Sequence, residues 1–181
     1  MTEPLPLRPE QVERLAQYIA NPRFLDLSDP GTGKTPPVCV YLRYQWSEHG
    51  HKSLWSMPKS LLQKNRDELL RFTDFQPEDV AILESDKLDP TPAQRRSLAK
   101  YRISGKGRVS KELLAYRQFW PRLIEGEVID LIKECNAKVI LVGFRFMARF
   151  WQRLIEHHKI GCLAVDELHM AYGGIDTQNT K

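Results

Sequence analysis

Lys34 and Thr35 close the stretch Ser28-Asp29-Pro30-Gly31-Thr32-Gly33-Lys34-Thr35, and they are the residue types that handle a phosphate chain. Gly31 and Gly33 let backbone come close to phosphate oxygens. The N–H groups of such a loop point inward at the start of a helix, whose dipole adds positive charge. Lys34 brings a full charge to the β and γ positions of a triphosphate, and the Thr35 hydroxyl is placed for Mg2+. A second cluster supplies what the loop lacks: Asp166 and Glu167 end the apolar run Ile160-Gly161-Cys162-Leu163-Ala164-Val165. A carboxylate at a strand tip can hold Mg2+ through water opposite Thr35, and the next acid can orient or deprotonate an attacking water. The catalytic candidates are Lys34, Asp166 and Glu167. Asp29, Pro30, Gly31, Thr32, Gly33, Lys34 and Thr35 are the phosphate-binding candidates, and Thr35 and Asp166 the metal ligands. The general pattern GxxxxGK(S/T) is met except at its first position, where Ser28 replaces glycine.

Groups so distant in sequence meet only if the fold collects them. Residues 7–20 place Val12, Leu15, Ala16 and Ile19 at helical spacing, with Pro9 in the first turn and Asn21-Pro22 as the stop. Phe24-Leu25-Asp26-Leu27 reads as a first buried strand feeding the glycine loop. A helix from Thr35 to near Gly50 carries Val38, Val40, Tyr41, Leu42 and Tyr44, and it tolerates Pro36 and Pro37 only in its first turn. A strand over Ser53–Met57 leads through Pro58-Lys59-Ser60 to a helix starting at Leu61. Ser60 is its expected N-cap, and Leu61, Leu62, Leu69, Leu70 and Phe72 form its apolar face. Val80–Leu83 is a third strand. After a break, a helix from about Glu127 to Cys135 precedes a strand over Lys138–Val142, a helix over Phe146–His158 and the last strand, Ile160–Val165. Short apolar strands alternating with amphipathic helices predict an α/β fold with a mainly parallel sheet covered on both faces. Loops at the carboxyl ends of such strands gather on one edge.

With 181 residues, 41% of them hydrophobic and 28% charged, the chain has the size and composition of a single globular domain. No apolar run approaches the roughly 20 residues that span a bilayer. The start Met-Thr-Glu-Pro-Leu-Pro is not a secretory signal. Cys39, Cys135 and Cys162 are widely spaced and odd in number, as expected of reduced thiols in a cytoplasmic protein. The net charge of +4 is unevenly spread. Residues 91–125 hold nine Lys and Arg, including Arg95, Arg96 and Lys106, against two acids, Glu112 and Glu125. We read 86–126, with Pro90, Pro92, Gly105 and Gly107, as a partly helical insertion. Its basic cluster suits a polyanion contact or a solvated surface about equally well. Trp120, beside Arg117 and Arg122, is the best base-stacking candidate, whereas Trp55 and Trp151 are expected in the core. His157-His158 complements the dipole at a helix end.

The order Leu7-Arg8-Pro9-Glu10-Gln11, Asp29 to Thr35, Pro58-Lys59-Ser60-Leu61-Leu62 and Asp166-Glu167-Leu168-His169 resembles superfamily-two helicases. The Pro-Lys-Ser-Leu-Leu element, followed by Asn65-Arg66-Asp67-Glu68-Leu69, is most similar to the Swi/Snf-like translocase branch. Its phosphate loop has the GxGKT form without an earlier glycine, so Ser28 fits. The resemblance implies the first RecA-like ATPase lobe, a three-layer P-loop fold, complete or cut short at the C-terminus, over 1–181 apart from the insertion. It implies that Gln11 bonds the adenine edge of ATP, that Lys59 and Ser60 touch a nucleic-acid backbone, and that His169 couples the two sites. Val142-Gly143-Phe144 is similar to a further strand-end motif, or is a plain strand-to-helix turn. The cofactors implied are ATP and Mg2+. The partners are nucleic acid, double-stranded DNA favoured over RNA, and a second RecA-like lobe in cis or in trans carrying an arginine finger. The chain alone is then expected to bind ATP–Mg weakly, to turn over very slowly, and to reside in the cytoplasm or wherever its DNA is. The alternatives are another P-loop nucleotidase, against whose GTPase form the missing Asn-Lys-x-Asp element counts, and a non-hydrolysing ATP-regulated nucleic-acid-binding module.

Overall fold

The computed structural model describes residues 4–21, 23–26, 31–84 and 126–167. The chain divides into two compact units, Met1–Leu83 with Cys135–Lys181, and Glu84–Glu134. The first unit contains α1 (Pro9–Ala20), α2 (Thr35–His49), β1 (Lys52–Met57), α3 (Leu62–Phe72) and β2 (Val80–Leu83). The second contains a helix over 126–134, α4, with Val128 and Ile132 buried. The first unit then resumes with β3 (Val139–Gly143), α5 (Phe144–His157) and β4 (Ile160–Val165). Most of the insertion expected at 86–126, including Arg95, Arg96, Lys106 and Trp120, lies outside the described residues.

The four strands form one sheet in the order β2-β3-β1-β4, and every pairing is parallel. The fold is therefore α/β, as the alternation of apolar strands and helices predicts. Trp55 and Met57 of β1, Val139 and Leu141 of β3 and Cys162 of β4 pack with Cys39 and Leu42 of α2 and Leu62 and Leu69 of α3. Alternate residues of a strand face opposite sides, so Leu54, Ile140 and Val142 turn to the other face, and all three are buried. There α5 packs on β1 and β3, burying Phe146, Phe150 and Leu154 at i, i+4, i+8 spacing. Lys138 fixes the start of β3 against β2: its N–H donates to the Asp79 carbonyl at 2.8 Å, and its Nζ pairs with the Asp79 carboxylate at 2.9 Å.

Five expectations are corrected. Residues 24–26 form no strand, and Phe24 and Leu25 are exposed. Asp26 is instead drawn to α1, accepting from the Tyr18 hydroxyl at 2.8 Å and pairing with Arg14 at 3.4 Å. The buried stripe of α1 is not Val12-Leu15-Ala16-Ile19, since Val12 is 52% exposed; it carries Gln11 and Tyr18. Partnered polar tips there outweigh apolar periodicity. Ser60 caps nothing: Lys59–Leu61 is a 3-10 turn ahead of α3, and its backbone bonds take up the N–H groups of Leu61 and Leu62. Trp55 is in the core, but Trp151 is 46% exposed because it lies about 100° round α5 from the Phe150 row. Finally, the sheet expected to be covered on both faces is covered only in part on one of them: α5 lies over β1 and β3, and Leu163 and Val165 of β4 are exposed on that face.

Candidate functional site

The carboxyl ends of β1 and β4 lie side by side, with Ser56 opposite Val165 in register. Because α2 leads directly into the amino end of β1 and packs along it, its own amino end lies at the carboxyl edge of the sheet. Gly31 to Thr35, the described part of the candidate loop, and the acidic pair are thus gathered on one edge. The carboxylate field of Asp166 reaches α2: burial chiefly pushes the Cys39 thiol far up from its ordinary value, and the Glu68 and Asp166 charges add to the shift.

Ser28, Asp29 and Pro30 lie outside the described residues. From Gly31 onward the loop has the backbone its glycines predict, with φ of 84° at Gly31 and 73° at Gly33. Both values are in the left-handed region that side chains disfavour. Lys34 follows as N-cap of α2 and Thr35 as its first residue. Pro36 and Pro37 occupy the first turn, where their missing N–H groups cost nothing.

Gln11 joins α1 to this loop. It is 7% exposed. Its Oε1 accepts from the Arg8 N–H at 2.9 Å, and its Nε2 donates to the Gly33 carbonyl at 3.2 Å. Arg14, one turn further along α1, donates to the Thr32 carbonyl at 3.3 Å. Beside Gln11 opens a pocket of about 450 Å³ that Gly31, Gly33 and Pro36 line on the loop side. Leu5, Pro6 and Arg8 line it from the N-terminal segment, and Arg71 and Phe72 from the end of α3. Its size is that of a small-ligand site. Sequence reading finds Gln11 and the loop but not the other walls, because only tertiary packing brings the end of α3 to the N-terminal segment.

Asp166 continues the β4 pairing, its N–H donating to the Ser56 carbonyl at 2.9 Å. Its carboxylate accepts at Oδ1 from the Glu167 N–H at 2.9 Å and at Oδ2 from Asn65 Nδ2 at 3.3 Å. Glu167 has a φ of 52°, the one positive value at a non-glycine residue among the described residues. A bulky residue held there stores strain of order 1–3 kcal/mol, which surrounding structure must maintain. Lys59 and Ser60 are exposed in the turn after β1, on the same edge. Gly143 ends β3 and caps α5, consistent with a strand-to-helix turn. His169 lies outside the described residues.

A hydroxyl from Thr35 and a carboxylate from Asp166 are a donor set that suits Mg2+, which keeps several waters and takes one or two carboxylates together with substrate phosphates. Among the described residues no group of three His, Cys, Asp or Glu side chains could hold a metal unaided. The rest of such an ion's shell would be water and phosphate oxygens. Among them, too, no helix is long and apolar enough to cross a membrane. No protein-family model matches the chain, and no curated protein is significantly similar to it.

Proposed function

We propose that this chain is an ATP-binding lobe with a RecA-like arrangement, part of a nucleic-acid-dependent ATPase of the helicase or translocase type, with double-stranded DNA as its track. The observation that carries this reading is the buried Gln11 amide, bonded to the glycine loop beside a ligand-sized pocket. A glutamine amide has two donors and two acceptor sites. Arg8 and Gly33 take one of each, which leaves one N–H and one lone pair. Adenine offers an acceptor at N7 and a donor at N6, whereas guanine offers acceptors at N7 and O6. The remaining valences of Gln11 therefore match the N7/N6 edge of adenine and would set the lone pair against an acceptor on the N7/O6 edge of guanine, which favours ATP for a base presented by that edge.

In this reading Lys34 and the loop N–H groups hold the β and γ phosphates, and Thr35 and Asp166 hold the Mg2+ that offsets phosphate charge. Glu167 accepts a proton as a water oxygen bonds to the γ phosphorus and the bond from that phosphorus to the β–γ bridging oxygen breaks. A second lobe supplies an arginine worth about 10³–10⁵ in rate, so this chain alone is slow. Lys59 and the first N–H groups of α3 bind a backbone phosphate without reading sequence.

The test compares wild type with Lys34→Ala and Glu167→Gln, using a fluorescent ATP analogue and phosphate release. Lys34→Ala is expected to lose binding. Glu167→Gln is expected to keep binding and to lose turnover in the assembled two-lobed enzyme. Unchanged ATP affinity in Lys34→Ala overturns the reading. Turnover that survives in Glu167→Gln reassigns the base.

A further inference from the structure

Asn65 lies on the buried stripe of α3 between Leu62 and Leu69, where helical periodicity calls for an apolar residue. It is 2% exposed. Its Nδ2 donates to the Met57 sulfur at 3.1 Å and to Asp166 Oδ2 at 3.3 Å. Both neighbours are acceptors, so the NH2 end of the amide must face them; turned round, its oxygen would meet the carboxylate. The NH2 group carries two hydrogens, enough to serve the thioether and the carboxylate together. The other carboxylate oxygen accepts from the Glu167 N–H, so the group is held from both sides.

We infer that Asn65 is a positioning residue for the metal site: it holds the Asp166 carboxylate in the orientation that receives Mg2+ with the bound nucleotide. This rests on the ATP-site reading above. The cost of burying an amide on an apolar stripe is compensated only by its partners. Hydrogen bonds in unliganded sites are often long and tighten when ligand arrives, as 3.3 Å allows here. α3 begins directly after the Lys59–Leu61 turn, so the residue that orients Asp166 is rigidly tied to the segment proposed to contact nucleic acid.

The experiment titrates Mn2+, followed by its electron paramagnetic resonance signal, into the full chain saturated with a non-hydrolysable ATP analogue. Affinity for the analogue is also measured in EDTA. Asn65→Leu removes the donor at similar volume; Asn65→Ser keeps polarity but stops short of Asp166. Both are expected to weaken Mn2+ binding about 10–100-fold, the usual loss when a partner of a metal ligand is removed. Metal-free nucleotide affinity should stay within twofold, which a merely structural role would not preserve. Mn2+ affinity within twofold of wild type in either variant overturns the role of Asn65 and leaves the nucleotide reading standing. Equal loss of metal-free nucleotide binding in both variants makes the residue structural and also overturns it. Failure of wild type to bind the nucleotide overturns the ATP-site reading itself, and this inference with it.

Discussion

Replacing Gly33 by alanine is expected to cost more than replacing Gly31, and the difference measures how tightly α1 is held to the glycine loop. Both glycines have positive φ, 84° and 73°, so both substitutions meet the same backbone penalty. That penalty is about 1–2 kcal/mol for an L residue. The surroundings differ. A Cβ on Gly31 meets nothing within 4 Å, whereas one on Gly33 lies 2.9 Å from Gln11 Nε2. The buried Gln11 amide must swing away and give up the Gly33 carbonyl, at a net cost of about 1 kcal/mol. Gly33→Ala should thus lose about 1 kcal/mol more than Gly31→Ala. In thermal denaturation that is a gap of about 2–4 °C for a chain of this size. The same displacement removes the group proposed to read adenine. The preference for ATP over GTP analogues should therefore fall about tenfold or more in Gly33→Ala, as expected for one base-reading pair, and persist in Gly31→Ala. Equal melting shifts together with equal base preference in the two variants would refute the reasoning.

Three further outcomes are expected. The Asp79 carboxyl is held below its ordinary value: burial alone would raise it, but hydrogen bonds from Lys138 and the Gln76 N–H and the Lys138 charge outweigh burial. Stability from this group is present above the unfolded carboxylate value, near pH 4, and is lost as pH falls through the lower folded value. Asp79→Asn should lower stability by about 1 kcal/mol at pH 7 and flatten its decline below about pH 4 in urea unfolding; a pH-independent difference would count against this. The Arg43–Asp74 pair, with the Asp74 side chain 54% exposed, should contribute less. Charge reversal at Arg95, Arg96 and Lys106 should weaken duplex DNA binding and reduce its salt dependence by about one unit of slope for each backbone phosphate that is no longer neutralised. Indifference of the affinity to those changes would make the insertion a spacer or a protein-binding element.

Strand and helix order is largely legible in the sequence because fully apolar runs such as Val139–Gly143 and Ile160–Val165 have few alternatives as strands between amphipathic helices. The bounds of β4 and the glycine at the end of α2 follow from local chemistry alone. The segment 24–26 is not legible in this way. Its apolar residues suit a strand, but a strand exists only with a neighbour, and Asp26 meets Tyr18 and Arg14 instead. Trp151 is misplaced by periodicity for a simpler reason: a helix over Phe144–His157 has apolar residues on more of its circumference than the sheet covers, and composition does not say which row is outermost. The walls of the pocket beside Gln11, Arg71 and Phe72 among them, carry no sequence signal because they meet only in three dimensions.

The residues that periodicity misplaces share a physical logic. Gln11 and Tyr18 on α1 and Asn65 on α3 are polar groups at positions a helix gives to its core. Burying such a group without a partner costs more than most single contacts return, so each position demands a partner elsewhere in the chain. Gln11 reaches Gly33, Tyr18 reaches Asp26 in the segment that leads into the glycine loop, and Asn65 reaches Asp166. Those partners lie in or beside the two segments that residue chemistry marks for phosphate and metal. Counting apolar residues by period discards these positions as noise. Asking how each buried amide or hydroxyl is satisfied turns them into tethers, and the three tethers bind α1 and α3 to the edge of the sheet where the proposed chemistry takes place.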